Sequence, residues 1–190
     1  MHSLYSFLFP AMWLAWGLYW VARSRDVKAT ARKEPVSSRL AHAVPLTLAM
    51  ILLAVPRTGI PLLDARIWPF SDVAYWLGAL LTAAGMLFTV AARRHLSRNW
   101  SGFVTIKEAH ELITSGAYGI VRHPIYTGLI AAFIGSALAR DEWRAVLAVV
   151  IATVALWRKL MVEERWMREQ FGRAYDDYSA RVPRLVPFLR

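Results

Sequence analysis

Five apolar runs alternate with polar, basic segments along the chain. Ser3 to Ala22 is a run of twenty uncharged residues, enough to cross a bilayer as a helix. Leu40 to Val55, Val73 to Ala92, Ile125 to Ala139 and Trp143 to Trp157 follow. The last two are short for free-standing spans, and the turn Arg140-Asp141-Glu142 between them predicts a tight helical hairpin. Pro10 is placed to kink the first run; Pro45 lies near the start of the second and Pro56 beyond its end. In the third run Gly78, Thr82 and Gly85 lie near one face. The fourth carries Gly128, Ala131, Ala132, Gly135 and Ala139. Such small-residue stripes let helix backbones approach closely.

The polar segments have their own pattern. Residues 23–39 read as a basic loop, and 57–72, with Pro61 and Pro69, as a loop at the interface. Residues 93–122 form the longest polar stretch and predict a short helix or irregular element against the membrane face. Near the end, Met167, Phe171, Ala174, Tyr175 and Tyr178 recur at helical spacing between charged residues, an amphipathic helix that continues the fifth span until Pro183 stops it. The expected fold is an all-α integral membrane protein with five transmembrane helices and a C-terminal amphipathic helix. Residues 1–92 form three N-terminal spans, and 93–190 a core holding the loop, the hairpin and the final helix.

Composition supports the membrane reading. Of 190 residues, 57% are hydrophobic, nine are Trp, and mean hydropathy is +0.35, more apolar surface than a soluble domain of this size can hide. The net charge of +10 does not point to nucleic acid, because the basic residues flank the apolar runs instead of sharing one face. Segments 23–39, 93–123 and 158–190 hold six, five and eight of the 23 Lys and Arg residues; the others are Arg57, Arg66, Arg140 and Arg144. The basic side is expected to be cytoplasmic, with the N-terminus outside and the C-terminus inside. The first run lacks a preceding basic region and a small-x-small cleavage site, so it reads as a retained span. With no cysteine, disulfides, thiolate metal sites and a Cys nucleophile are excluded in this chain.

The chemistry gathers in Gly116-Ala117-Tyr118-Gly119-Ile120-Val121-Arg122-His123-Pro124-Ile125-Tyr126-Thr127-Gly128. Pro124 suits the first turn of a helix and biases His123 towards an extended conformation. Arg122 and His123 are thereby placed at a helix mouth. Taken singly, Arg122 reads as a topological anchor and His123 as a backbone-bonding group. Glu163 and Glu164 lie where the fifth span leaves the membrane. Adjacent helical residues point about 100° apart, so the two are not expected to face one pocket. Glu164 reads as an ordinary solvated pair with Arg168 one turn later. Glu163 either pairs with Lys159 one turn earlier or faces the loop and binds a cationic or hydroxylated ligand. His95 and His110 are isolated and no HxxxH pair occurs, so no metal site is expected. GxSxG, P-loop and GxGxxG motifs are absent.

Asn99-Trp100-Ser101, Lys107 with His110, Gly116-x-Tyr118-x-x-Val121-Arg122-His123-Pro124-x-Tyr126, Glu163-Glu164, Phe171-Gly172-x-x-Tyr175-x-x-Tyr178 and Pro183-x-x-x-Pro187 together resemble the isoprenylcysteine carboxyl methyltransferase family, itself related to the phospholipid N-methyltransferases. The resemblance covers residues 93–190. It implies a pocket for S-adenosylmethionine between the Arg-His-Pro loop and the last two membrane helices. His110, Glu111, Leu112 and Ile113 would form one wall. Tyr118, Arg122, His123, Pro124, Ile125 and Tyr126 would form another, and Glu163 would hold the polar end of the cofactor. The family places an acceptor-facing arginine one turn before that glutamate; here Lys159 stands there, with Arg158 beside it. Lysine lacks the two-pronged grip of a guanidinium on a carboxylate.

Methyl transfer from a sulfonium is an in-line displacement that expels a neutral thioether. The protein must supply alignment and a dry site, so no residue is assigned a proton-transfer or nucleophilic role. The expected acceptor is lipophilic, enters from the bilayer, and is nominally the carboxylate of an isoprenylated cysteine. A phospholipid amine, which would need a base, and a small thiol are alternatives. Sterol reductases, which use NADPH, share a similar C-terminal region but are usually much longer.

Overall fold

The computed structural model describes residues 2–24, 30–97, 100, 105–107 and 111–189. Its order is α1 (His2–Arg23), β1 (Thr30–Lys33), α2 (Val36–Ala54), α3 (Pro61–Asp64), α4 (Asp72–Leu96), β2 (Thr105–Lys107), α5 (Ala117–Ile120), α6 (Pro124–Arg140), α7 (Trp143–Phe171) and α8 (Arg173–Arg181). Among the described residues, α2, α4 and α7 are long and apolar enough to cross a membrane; α6 is apolar but shorter. With these helices the chain is an integral membrane protein.

The small-residue stripes meet each other. A Cβ added to Gly78 would lie 2.5 Å from the Gly135 carbonyl oxygen, and one added to Gly85 would lie 2.5 Å from that of Gly128. Only the absence of side chains lets α4 and α6 touch backbone to backbone at these two levels. Thr82 Oγ1, buried between them, donates to the Gly78 carbonyl at 2.8 Å. Helix α1 joins through two indoles. Trp13 Nε1 donates to Ser136 Oγ at 3.1 Å and Trp16 Nε1 to Thr89 Oγ1 at 2.7 Å. Helix α7 turns Ala145, Ala148 and Ala152 onto Ala49, Leu52 and Leu53 of α2, with Phe133 and Ala137 of α6 completing the cluster.

At one end of this bundle the hairpin turn caps α2. Arg140 donates to the carbonyls of Leu53 and Val55 at 2.8 and 2.7 Å, and Arg144 to those of Val55 and Pro56 at 2.7 Å each. Carbonyls at a helix C-terminus lack intrahelical partners, and here two arginines take that of Leu53 and those of Val55 and Pro56 just beyond the helix. At the opposite end α7 runs on past the apolar region.

Three expectations need correction. Thr105–Lys107, inside the polar stretch expected to be helical or irregular, is a strand paired antiparallel with Thr30–Lys33. The fold is therefore helical with one small sheet. Residues 36–39, assigned to the basic loop, are the first turn of α2. The C-terminal amphipathic segment is two helices: Gly172 has φ +51°, ending α7 and starting α8. That conformation suits glycine.

Candidate functional site

The loop before α6 is held by the chain terminus. Arg122 and His123 donate their backbone N–H groups to the carbonyls of Pro183 and Arg184 at 2.8 and 3.1 Å. Thr127 Oγ1 donates to the Leu185 carbonyl at 2.7 Å. Pro124 occupies the first turn of α6 and His123 caps it, with φ −124° and ψ 61°. Beneath the loop, Tyr118 is buried in α5, and its carbonyl accepts from Tyr178 Oη at 2.7 Å. Burial, reinforced by the nearby charge of Glu163, pushes the Tyr118 phenol well above its ordinary range. Burial pushes that of Tyr178 up to about 12.

Under this strap lie both glutamates. Glu164 has no exposed surface. Its Oε1 accepts from Arg122 Nε at 3.0 Å and Arg122 Nη2 at 2.7 Å. Arg184 Nε donates to both of its oxygens at 3.3 Å, and Arg168 Nη2 stands 3.6 Å away. The remaining guanidinium nitrogen of Arg122 donates to the carbonyls of Ser179, at 2.8 Å, and Val182. Arg122 is thus fully committed to protein partners, and Glu164 is no solvated pair with Arg168. The tail brings Arg184 over it, and the loop brings Arg122.

The two carboxylates differ in surroundings, yet one imidazole spans the wedge between them. His123 Nε2 lies 3.4 Å from Glu164 Oε1, and Nδ1 lies 3.6 Å from Glu163 Oε2. Burial pushes the imidazole pKa down, but hydrogen bonds and charge from both carboxylates outweigh it and leave the value raised. A protonated imidazole faces both carboxylates with a donor, Nε2 within hydrogen-bond distance of Glu164 and Nδ1 at ion-pair distance from Glu163. Its ring stacks on Tyr126 at 5.5 Å and 4°, and Tyr126 Oη donates to Glu163 Oε1. Lys159 Nζ sits 5.3 Å over the same Tyr126 ring and neighbours Glu163.

Glu163 differs from everything around it. It lies deep among protein atoms, yet 23% of its side-chain surface is open. Of the two adjacent carboxylates it is the one that stays partly open. It retains lone pairs for a cationic donor, which suits an ammonium group. Of the other sequence candidates, Tyr118, Arg122, His123, Pro124 and Tyr126 are buried around this point, Leu112, Ile113 and Ile125 are half-buried, and Glu111 is exposed. His110 lies outside the described residues. Arg158 turns away to α2, where it donates to the Ser38 carbonyl at 3.0 Å and Ser38 Oγ at 3.1 Å. Arg184 went unnominated, although the Pro183-x-x-x-Pro187 motif around it was the available signal.

These features define a helical membrane protein with a strapped cluster of charged side chains where its last long helix leaves the apolar bundle. The chain belongs to the phospholipid methyltransferase family, whose sequence profile matches residues 73–174. Its curated relatives bear out the resemblance to isoprenylcysteine methyltransferases. Protein-S-isoprenylcysteine O-methyltransferase B of Arabidopsis thaliana is 30% identical over 124 residues, covering 60% of this chain and 61% of that protein. A probable protein-S-isoprenylcysteine O-methyltransferase of Oryza sativa subsp. indica is 26% identical over 164 residues, covering 83% and 84%. A solved eukaryotic intramembrane Ras methyltransferase, isoprenylcysteine carboxyl methyltransferase, aligns with a TM-score of 0.43 and 24% identity over 80% of this chain and 50% of that one. The match thus spans less than two thirds of the Arabidopsis protein and half of the solved chain.

Proposed function

We propose that this chain is an integral membrane methyltransferase that binds S-adenosylmethionine in the cleft over Glu163 and methylates a lipophilic acceptor. Family membership supports the reaction class, and the accessible carboxylate of Glu163 is the observation that supports the site. When bound, the cofactor supplies a methyl group activated on a sulfonium. Glu163, aimed by Tyr126 and His123, holds the ammonium of its methionine part. Backbone and rings from residues 118–126 form one wall and residues 111–113 the other. The strap from Pro183 to Leu185 keeps the loop closed and limits water. Lys159 faces the acceptor; Arg158, beside it on α7 and bound to Ser38 of α2, supports it.

The nominal acceptor is the carboxylate of an isoprenylated cysteine, the substrate class in the relatives' names. Five passes, with the N-terminus outside and the C-terminus in the cytoplasm, put the cleft on the basic side of the membrane. There it opens to a soluble cofactor at one end and to lipid at the other.

Titration calorimetry on the purified protein tests this reading. S-adenosylhomocysteine should bind saturably, and the binding should vanish in Glu163→Ala while helicity and melting temperature are kept. Heat from NADPH alone, or from neither ligand, would refute it.

A further inference from the structure

A second polar cluster lies beside the cleft, on the α2 side of α7, and the reading above leaves it without a role. Glu34, just before α2, and His42, within it, are each only 2% exposed. Glu34 Oε1 accepts from Ser38 Oγ, one turn into α2. Arg158, from α7, reaches the same turn and places Nη1 3.4 Å from His42 Nδ1. A guanidinium can only donate. His42 Nδ1 must therefore be the accepting nitrogen, and the proton of the neutral ring sits on Nε2. That N–H points towards Glu34, yet Nε2 and Glu34 Oε2 stand 3.8 Å apart, too far for a hydrogen bond. Both atoms are buried and have no hydrogen-bond partner among the described residues.

A buried donor and a buried acceptor, both unmet, are costly and call for a partner. This pair neighbours the charged cluster around Glu163. Lys159 lies among the carboxylates of Glu34 and Glu163, and it stands over the Tyr126 ring that hands its hydroxyl to Glu163. On this line from α2 to the loop, Glu163 marks the cofactor end and the Glu34–His42 pair marks the other.

We propose that Glu34 and His42 are positioning residues for the methyl acceptor: they seat its polar head through one donor offered to Glu34 Oε2 and one acceptor offered to His42 Nε2. The proposal rests on the methyltransferase reading. An amide N–H with its neighbouring carbonyl in a prenylated cysteine peptide meets the requirement, and so does an ammonium with its phosphate in phosphatidylethanolamine. Neither residue touches the transferred methyl. Their part is to fix how deep the head sits, so that its nucleophile stands in line with the donor.

The test uses the full chain in detergent micelles. Two acceptors are titrated separately, a farnesylated cysteine peptide with a free carboxylate and phosphatidylethanolamine, and S-adenosylhomocysteine affinity is measured alongside. The acceptor that the wild type methylates identifies the source of the head group. For that acceptor, Glu34→Ala and His42→Ala should each raise KM about tenfold, the loss expected for one charge-assisted hydrogen bond. They should leave kcat at saturation and S-adenosylhomocysteine affinity within twofold. Glu34→Gln, which keeps one accepting oxygen and nearly the same volume, should recover part of the loss. If either alanine variant fails to fold, Glu34→Gln still reports the acceptor KM against cofactor affinity. An unchanged acceptor KM would mean that the pair binds only water and would overturn the proposal. So would acceptor KM and cofactor affinity worsening together. Failure of the wild type to bind S-adenosylhomocysteine would instead remove the methyltransferase reading itself.

Discussion

Glu164 has no exposed side-chain surface and meets Arg122, His123, Arg168 and Arg184. Glu163, the residue before it, keeps 23% of its side chain open and meets a phenol, the other nitrogen of the same imidazole and, beyond them, Lys159. The two are chemically identical and joined by one peptide bond. What separates them is the direction each leaves α7. Glu164 points under the loop and the C-terminal tail, which converge on it and use up its lone pairs. Glu163 points to the side those segments leave open. The first is a tie that closes the loop; the second is a carboxylate which the loop positions and does not consume. A functional glutamate beside a structural one is recognised by unspent hydrogen-bonding capacity, not by charge or depth.

Removing the tie should have the largest effect. Glu164→Ala strands the guanidinium of Arg122 and half-frees that of Arg184. Breaking one partner of a buried ion pair costs about 3–5 kcal/mol. Thermal melting in detergent should show a loss of that order, along with protease sensitivity after residue 181. Stability equal to the wild type would mean the network is ornamental. By contrast, Glu163→Ala should change stability far less and abolish S-adenosylhomocysteine binding. A variant of Glu163 that melts as low as Glu164→Ala would erase the distinction.

The scaffold beneath both residues can be broken independently. Gly85→Leu forces a side chain into the 2.5 Å gap to the Gly128 carbonyl. Overpacking of this kind costs about 1–3 kcal/mol, and it should shift α6 with the loop at its head. Melting temperature should fall by less than in Glu164→Ala, and cofactor affinity should weaken without any contact residue being touched. Unaltered affinity would show that the loop is fixed by the tail alone.

The small-residue stripes and the hairpin were readable in the sequence because each depends on residues a few positions apart on one helix. Gly78 and Gly85 find Gly135 and Gly128 because both stripes follow the helical period. The helix start was readable for the same local reason, since Pro124 opens α6, but His123 takes ψ 61° and not the extended backbone expected before proline, because it is held by the tail at Arg184. The fate of Glu164 was not, since spacing along α7 offers only Arg168, and Arg122 and Arg184 arrive by tertiary folding. The Glu34–His42 pair was hidden more deeply, because Arg158 comes to Ser38 across 120 residues. The strand at 105–107 was missed because three residues carry no periodicity to read.

The imidazole between the two glutamates gives the smallest and most specific test of the comparison. His123 has a folded-state pKa above the ordinary 6.5, so folding favours its protonated form. The stability this supplies is fully present below pH 6.5 and declines as pH rises through the folded value. Unfolding free energy followed from pH 6 to pH 9 should therefore fall in the wild type, and the slope should be shallower in His123→Gln. Neutralising the imidazole also withdraws the donor from Nδ1 or Nε2, and the asymmetry between the glutamates predicts where the loss appears. Glu164 keeps its arginines, so the loop stays closed. Glu163 has less to replace the lost bond and is released towards the cleft. The fall in stability should then come without loss of the strap. Hydrogen exchange at the backbone amides of Arg122 and His123, which donate to Pro183 and Arg184, should remain slow across the whole range. Exchange that quickens in step with the fall in stability would place the proton's effect on Glu164, and the two carboxylates would have to be treated as one unit.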